Sequence, residues 1–435
     1  MSETAIQHFS SLFETALQKG RENGEPDWRT HQRETAFSRF RDIGFPTVRQ
    51  EHWKYTNVAP ITSTEFVLPQ PAPLPDVSSL IGEHREDEIE FIFVDGALSR
   101  EHSTAKAAAG LELTLFKDAM ANGEGELLKS RLESSAFGKS DAFPSLNQAF
   151  GSEGVWVKIA DNAVIEKRVH ILFLTTGTVP NALLAPRVIV DAGRSSQAFL
   201  VQSHIGGPGA SSFTSAVTDI RVAENAKLTY CKIQSEAPDA FHYGLIRSSQ
   251  MADSHVMHFD FSRGGRLARN ELYAGLDGQG AEVHLNGLYA VKDKQHIDNH
   301  TTVDHRVPRC YSRQRYKGIL DDSGRAVFNG AVVVQPGAVN TDGVQLNQNL
   351  LLSRDAKVNT KPQLEIQNDD VKCTHGATIG QIDEDQLFYA MSRGVNKDEA
   401  IAVLSRGFVE DVLFLLGNKP LQESLHGLLD SYFAN

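Results

Sequence analysis

Apolar positions recur at three- and four-residue steps early in the chain, at every second residue through its middle, and at helical steps again near its end. Ile6, Phe9, Leu12, Phe13 and Ala16 predict a first helix, with Ser2 or Thr4 as its cap and Gly20 near its stop. Pro26-Asp27-Trp28 opens a second helix that carries Ala36, Phe37 and Phe40 and breaks at Gly44-Phe45-Pro46. Trp53 and Tyr55 then read as extended. Four prolines between Pro69 and Pro75 forbid a regular element and mark a linker. Ile89 to Asp95 reads as a short strand, and Thr114 to Leu132 as helix again.

From about Val155 to Gly380 the period is two. Val155, Val157 and Ile159 alternate with other residues, as do Val188 and Val190, Leu228 and Tyr230, and Val332 and Val334. A unit repeats: apolar strand, tight polar turn, small residue, next strand. The small residue falls at Ala198, Ala226, Ser254 and Ala281, in steps of 28, 28 and 27, and again at Ala326 and Ala356 after a gap of 45. A coil that cannot bury its own apolar face must stack on its neighbours, so this regularity predicts a solenoid. Strands of period two with coils just under thirty residues favour a β-helix over a sandwich, with a jelly roll as the other arrangement.

The expected layout is an N-terminal, mostly helical domain with linker (1–154), a β-helix core (155–380) and a C-terminal helical domain (381–435). In the last, Asp383-Glu384-Asp385 fits a first helical turn, and Gly394 closes that helix. Asn396 caps the next helix and Gly407 is expected to end it. Phe408, Val412, Leu413 and Leu416 then belong to a run too apolar for one solvated face. They either cap the solenoid's open end or dock another protein.

Composition narrows the chemistry. A net charge of −12 over 435 residues, with no run of Lys and Arg that stands out, disfavours a nucleic-acid surface. Three widely spaced cysteines (Cys231, Cys310, Cys373), no signal-peptide pattern and no long apolar span lead us to expect a cytoplasmic, membrane-free protein. Phosphate-cradling, nucleophile-elbow and His-Glu-x-x-His motifs are absent.

Three clusters carry candidate chemistry. Cys373 and His375 lie two apart in Asp369-Asp370-Val371-Lys372-Cys373-Thr374-His375-Gly376, so an extended chain puts them on one face. Such a pair either holds a soft metal or activates a thiol, or is a small core cysteine beside a hydrogen-bonded imidazole. His296, His300 and His305, with Asp298 and Asp304, offer metal-binding side chains, although Lys292, Lys294 and Arg306 suggest a solvated edge. Cys231 reads as core, while Cys310 precedes the basic run Arg313, Arg315 and Lys317, which would lower its thiol pKa if close.

Further motifs occur in order along the chain: Glu51-His52-Trp53-Lys54-Tyr55-Thr56, Val327-Phe328-Asn329-Gly330, Gln345 to Leu352, Lys361 to Ile366, and Ser392-Arg393-Gly394. With the Cys373–His375 stretch they resemble the SufB/SufD family of iron–sulfur cluster assembly proteins, on its SufD side. The resemblance implies a right-handed parallel β-helix between helical end domains. It also implies a non-catalytic scaffold that pairs with a SufB paralogue through the β-helix and carries a SufC ATPase on its C-terminal helices. His375, with Cys373 beside it, would meet a nascent iron–sulfur cluster shared with the partner, and reduced flavin is a candidate cofactor of such a complex. Phe408, Val412, Leu413 and Leu416 become candidate partner contacts. Two other readings are a secreted-type β-helix polysaccharide lyase or hydrolase and a free-standing homodimeric cluster scaffold.

Overall fold

The computed structural model describes residues 3–69, 77, 80, 88–104, 108–133, 142–151 and 153–433. Successive strands alternate between two long sheets, and each strand pairs in parallel with the strand two further along the chain. This is a β-solenoid of about eight turns. One sheet runs from the Ala97–Leu98 and Glu88–Val94 strands to Val371–Gln381, the other from Leu111–Leu115 to Lys357–Ile366. The Ile89–Asp95 strand read from sequence is therefore the first parallel strand of the stack, paired with Arg168–Thr175. Thr114 also begins differently from expectation: it sits in the Leu111–Leu115 strand, and helices follow at Phe116–Ala121 and Gly125–Glu133.

One corner shows why the repeat exists. Ser195, Asn225, Asp253, Gly280, Arg309 and Asn340 all adopt positive φ, between 53° and 76°. Asn, Asp and Gly tolerate that conformation best. The next residues, Ser196, Ala226, Ser254, Ala281, Cys310 and Thr341, are all buried, and each immediately precedes or opens a paired strand. The sequence phase is thus corrected in two places. Ser196, not Ala198, belongs to this row; Ala198 pairs with Leu228 one row further in. The apparent gap of 45 vanishes because Cys310 fills the next coil and Ala326 lies on the opposite sheet, paired with Ile297.

Helices cover both outer faces. The N-terminal helices Glu3–Glu22 and Asp27–Ile43 pack through an aromatic cluster, including Phe9, Phe40, Phe66 and Phe143, onto Phe213, Phe241 and Tyr243 of one sheet. Trp53 closes a short 3₁₀ turn (Glu51–Trp53) rather than a strand, and the Arg269 guanidinium lies 3.8 Å from its ring centroid. Of the proline-rich linker, Gln70 to Pro75 lies outside the described residues, as does Ser2.

The C-terminal helices Lys397–Phe414 and Lys419–Phe433 lie along the other sheet's outer face. Gly407 does not end the first of them. The helix continues because Val409, Val412 and Leu413 bury themselves against Cys231, Phe259, Leu288 and Ile319, and tertiary burial outweighs the modest helix penalty of one glycine. Lys317 fastens it, bonding Asp411 at 2.7 Å and the Phe408 carbonyl at 2.6 Å. No helix among the described residues is long and apolar enough to cross a membrane.

Candidate functional site at the bare end of the solenoid

The last coil consists of Lys357–Ile366 and Val371–Gln381, the edge strands of the two sheets. Most of their side chains are half-buried or exposed, including Ile366 and Ile379. Edge strands present unpaired backbone groups, and proteins blunt them with charge, proline or short length. Lys357–Ile366 has two lysines, a glutamate and Pro362; Val371–Gln381 has eleven residues and a single charged one, Lys372.

Register places the Cys-x-His pair. His375 pairs with Gln345 and continues the inward row Tyr230, His258, Leu285, Gln314. Those residues are buried, whereas His375 is exposed because no coil stacks beyond it. Its imidazole makes no hydrogen bond or ion pair among the described residues. Cys373 points the same way, is half-buried and packs beside Val332, Val334 and Leu364. Burial pushes its thiol pKa up, with a smaller opposing contribution from the Gly343 backbone. It is therefore a thiol at neutral pH and becomes a ligand only if a metal displaces the proton.

Behind His375 the lumen is polar, which no reading of alternation had signalled. Gln345 donates to Gln314 at 2.6 Å, Tyr289 to Asn349 at 2.5 Å, and Asn349 to Asn347 at 2.7 Å. Deeper lie Lys232, bonded to Asn270, and the Glu236–His242 pair at 2.8 Å. Burial alone would raise the Glu236 pKa, but His242 and hydrogen bonds from Thr214 and Gln234 hold it below the usual range. Burial drives His258 down to about 3 and His305 to about 4, so both are neutral.

The His296–His305 group divides. His305 points into the lumen and bonds Ser312 at 2.9 Å. His296, Asp298 and His300 face outward beneath the Glu51–Thr56 segment, where Thr56 donates to Asp298 at 2.6 Å. This is no solvated edge. Asp298 is buried, ion-paired to Arg269 at 2.5 Å and in contact with the His300 imidazole at 3.0 Å. Burial opposes ionisation there, yet Arg269 and His300 keep the carboxyl far below its usual range. Arg269 satisfies Asp298, so the cluster is a structural clasp rather than an open metal site.

Cys310 and Cys231 are buried, and desolvation raises both thiol pKa values; of the basic run near Cys310, Arg313 pairs with Asp342 while Arg315 and Lys317 reach Asp411 on the C-terminal helix. Among the described residues, the one group of three His, Cys, Asp or Glu side chains with ligand atoms within 4.8 Å is Glu88, Glu90 and His170. Arg168 already holds Glu88 at 2.6 Å. Val412, Leu413 and Leu416 are buried and Phe408 is half-buried with Lys317 over its ring, so this set packs on its own solenoid. Exposed apolar side chains in this region are Phe388, Tyr389, Met391, Val403, Phe414 and Leu415.

Family models match both halves of this architecture: the SufBD protein N-terminal region over residues 3–171, and the SUF-system SufBD core domain over 173–408. The chain belongs to the SufB/SufD family of iron–sulfur cluster assembly proteins. It is 28% identical to the Escherichia coli iron–sulfur cluster assembly protein SufD, over 98% of this chain and 96% of that one. A SufBD-family protein of Synechocystis is 28% identical over 88% and 86% of the two chains. A chloroplastic protein of Arabidopsis thaliana is 30% identical over 66% and 62%. The chain is SufD-like, and its process is iron–sulfur cluster assembly.

Proposed function

We propose that this SufD-like chain is a non-catalytic scaffold subunit, working in the cytoplasm, whose bare end coil docks on a SufB-type paralogue and brings His375 to the seam where a nascent cluster forms. The observation that carries this reading is the long, nearly uncharged edge strand Val371–Gln381 with an exposed, unpartnered imidazole on it. A partner strand added there satisfies the open backbone groups. Iron bound at the seam takes one nitrogen from His375 and further ligands from the partner, because Cys373 and His375 alone leave its coordination incomplete. Cys373 is a second donor whose raised thiol pKa makes its use depend on iron.

A SufC-type ATPase fits the exposed apolar side chains Phe388, Tyr389, Met391, Val403 and Phe414 on the C-terminal helices. Nucleotide-driven movement of those helices would reach the sheet through Lys317 and its Asp411 contact.

Co-expression with a SufB-type paralogue and its ATPase tests this reading. His375→Ala should leave the complex intact by size-exclusion mass measurement while abolishing iron and acid-labile sulfide in it. Normal cluster content in that variant would refute the role of His375. A chain that forms only homodimers in the presence of both partners would refute the pairing.

A further inference from the structure

A pocket of about 610 Å³ opens beside the last coil, between Lys54 and Tyr55 on one side and the sheet that ends in Lys357–Ile366 on the other. Its lining includes the cations Lys54, Arg325 and Lys357 and no acidic side chain. In a chain with a net charge of −12 such a set stands out. Strand register concentrates it: Arg325 pairs directly with Lys357 on one neighbouring strand and with His296 on the other. Like charges side by side on adjacent strands repel, so this arrangement costs stability in the free chain.

The fold does not cancel the charge. Among the described residues, the side chains of Arg325 and Lys357 make no ion pair, and the Lys54 ammonium lies 5.4 Å from the centroid of the Tyr55 ring without one. Glu51, Asp298, Asp322 and Asp355 sit on the flanking segments, but none lines the pocket. Lys361, at 2.8 Å, holds the Glu51 carboxylate low, with Lys54 contributing from further off. Asp298 is buried on Arg269. Burial pushes the His296 imidazole down; Asp298 opposes that, while Arg325 and Arg269 add to it. His296 is therefore a neutral side chain beneath the cations, hydrogen-bonded to Thr56 at 3.0 Å. The Tyr55 hydroxyl and the Asn359 amide, both on the lining, have no side-chain partner among the described residues.

We propose that this pocket binds a small multivalent oxyanion, held by Arg325, Lys357 and Lys54 with the Tyr55 hydroxyl and the Asn359 amide as further donors. Phosphoryl and carboxylate groups both present the paired oxygens that a guanidinium grips, and an ammonium serves either as a point charge. The cations come from separate elements, two on the sheet and Lys54 on the facing segment, so a molecule with two or more anionic groups engages all three. Its charge also relieves the repulsion between Arg325 and Lys357.

Calorimetric titration of the purified full-length chain at low ionic strength with pyrophosphate, citrate, orthophosphate and acetate tests this. Pyrophosphate or citrate should bind one to one and at least about tenfold more tightly than the single-group ions, the value of one charge-assisted hydrogen bond; the tighter of the two shows whether the site prefers phosphoryl or carboxylate groups. Arg325→Gln/Lys357→Gln should weaken that binding at least about tenfold, while its ligand-free melting temperature equals or exceeds that of the wild type because the repulsion is gone. Lys419→Gln, which removes an exposed lysine outside the pocket, should bind as the wild type does. No saturable binding of either polyanion up to about 1 mM, equal affinity for the single-group ions, undiminished binding in the double variant, or an equal loss in Lys419→Gln would each overturn the proposal. The wild-type comparison among the four ions decides the matter even if a variant misfolds.

Discussion

Leu413 and Phe414 are neighbours on one helix with opposite surroundings, and replacing each by alanine separates packing from partner contact. Leu413 is fully buried between that helix and the sheet, whereas Phe414 is 74% exposed. Truncating a buried leucine removes its transfer free energy and leaves a cavity, a loss of about 2–5 kcal/mol. If the helix pair opens as a unit, that loss lowers amide protection across Lys397–Phe433 by roughly thirtyfold to several thousandfold. Phe414→Ala should change protection by less than about 0.5 kcal/mol, the usual bound for an exposed site. Under the proposed function its effect should appear in ATPase binding, where an anchoring aromatic contributes more than about 1 kcal/mol, or over fivefold in affinity. Hydrogen exchange by mass spectrometry on the free chain and calorimetry with the ATPase read the two separately. Unchanged protection in Leu413→Ala would refute the packing. Lost ATPase affinity in Leu413→Ala with intact protection, together with normal affinity in Phe414→Ala, would reverse the assignment of faces.

Asp298→Asn should remove one of the two carboxylates on buried Arg269, with Glu271 remaining at 2.7 Å, and cost about 1.5–3 kcal/mol in urea unfolding; a cost under about 0.5 kcal/mol would show that the clasp is not the buried pair described. Acidification should destabilise the chain from about pH 6.5 downward. Neutral His258 and His305 have folded pKa values of about 3 and 4, so between those values and about 6.5 the unfolded chain binds more protons and stability falls as pH falls. Each histidine contributes about 2 kcal/mol of loss by pH 5, and His258→Phe should flatten the slope of urea midpoint against pH; an unaltered slope would contradict the buried neutral state. Thr374→Lys/Thr378→Lys charges the exposed edge strand and should prevent capture of the SufB-type paralogue without lowering thermal stability, and capture at wild-type strength would count against the edge as the docking strand.

The architecture was legible because it is local. Alternation gave the strands, and the left-handed corner demanded Asn, Asp or Gly at nearly constant spacing, so the coil length showed through. The phase was off by two at Ala198 because strand starts and corners both favour small residues, and only pairing separates them. Gly407 read as a stop since local propensity says nothing about the sheet that holds the helix together. The same blindness hid which face of Phe408 to Leu416 is buried. His296 and His305 looked like one cluster along the chain, yet an odd separation on a strand sends side chains to opposite faces. Cys373 and His375, an even separation apart, were placed together correctly. The polar lumen went unseen because inward Gln, Asn and Lys break no sequence rule until their neighbours on adjacent coils are known.

The two ends of the stack differ in a way that bears on function. Stacked repeats need terminal caps, since the outermost coil otherwise exposes the surface meant for its next neighbour. Near the first coils, the antiparallel strands Ala97–Leu98 and Leu111–Leu115 flank the two sheets, and the N-terminal helices cover one face with phenylalanines. At the last coil the C-terminal helices turn away onto the side of the stack, leaving Ile366 and Ile379 exposed on the edge strands. A chain that builds caps elsewhere and leaves this end bare offers the kind of edge that the proposed docking uses. That position carries His375, so under the proposed function docking and completion of the cluster site would be one event: neither the exposed edge nor a half-ligated iron would be satisfied without the other chain.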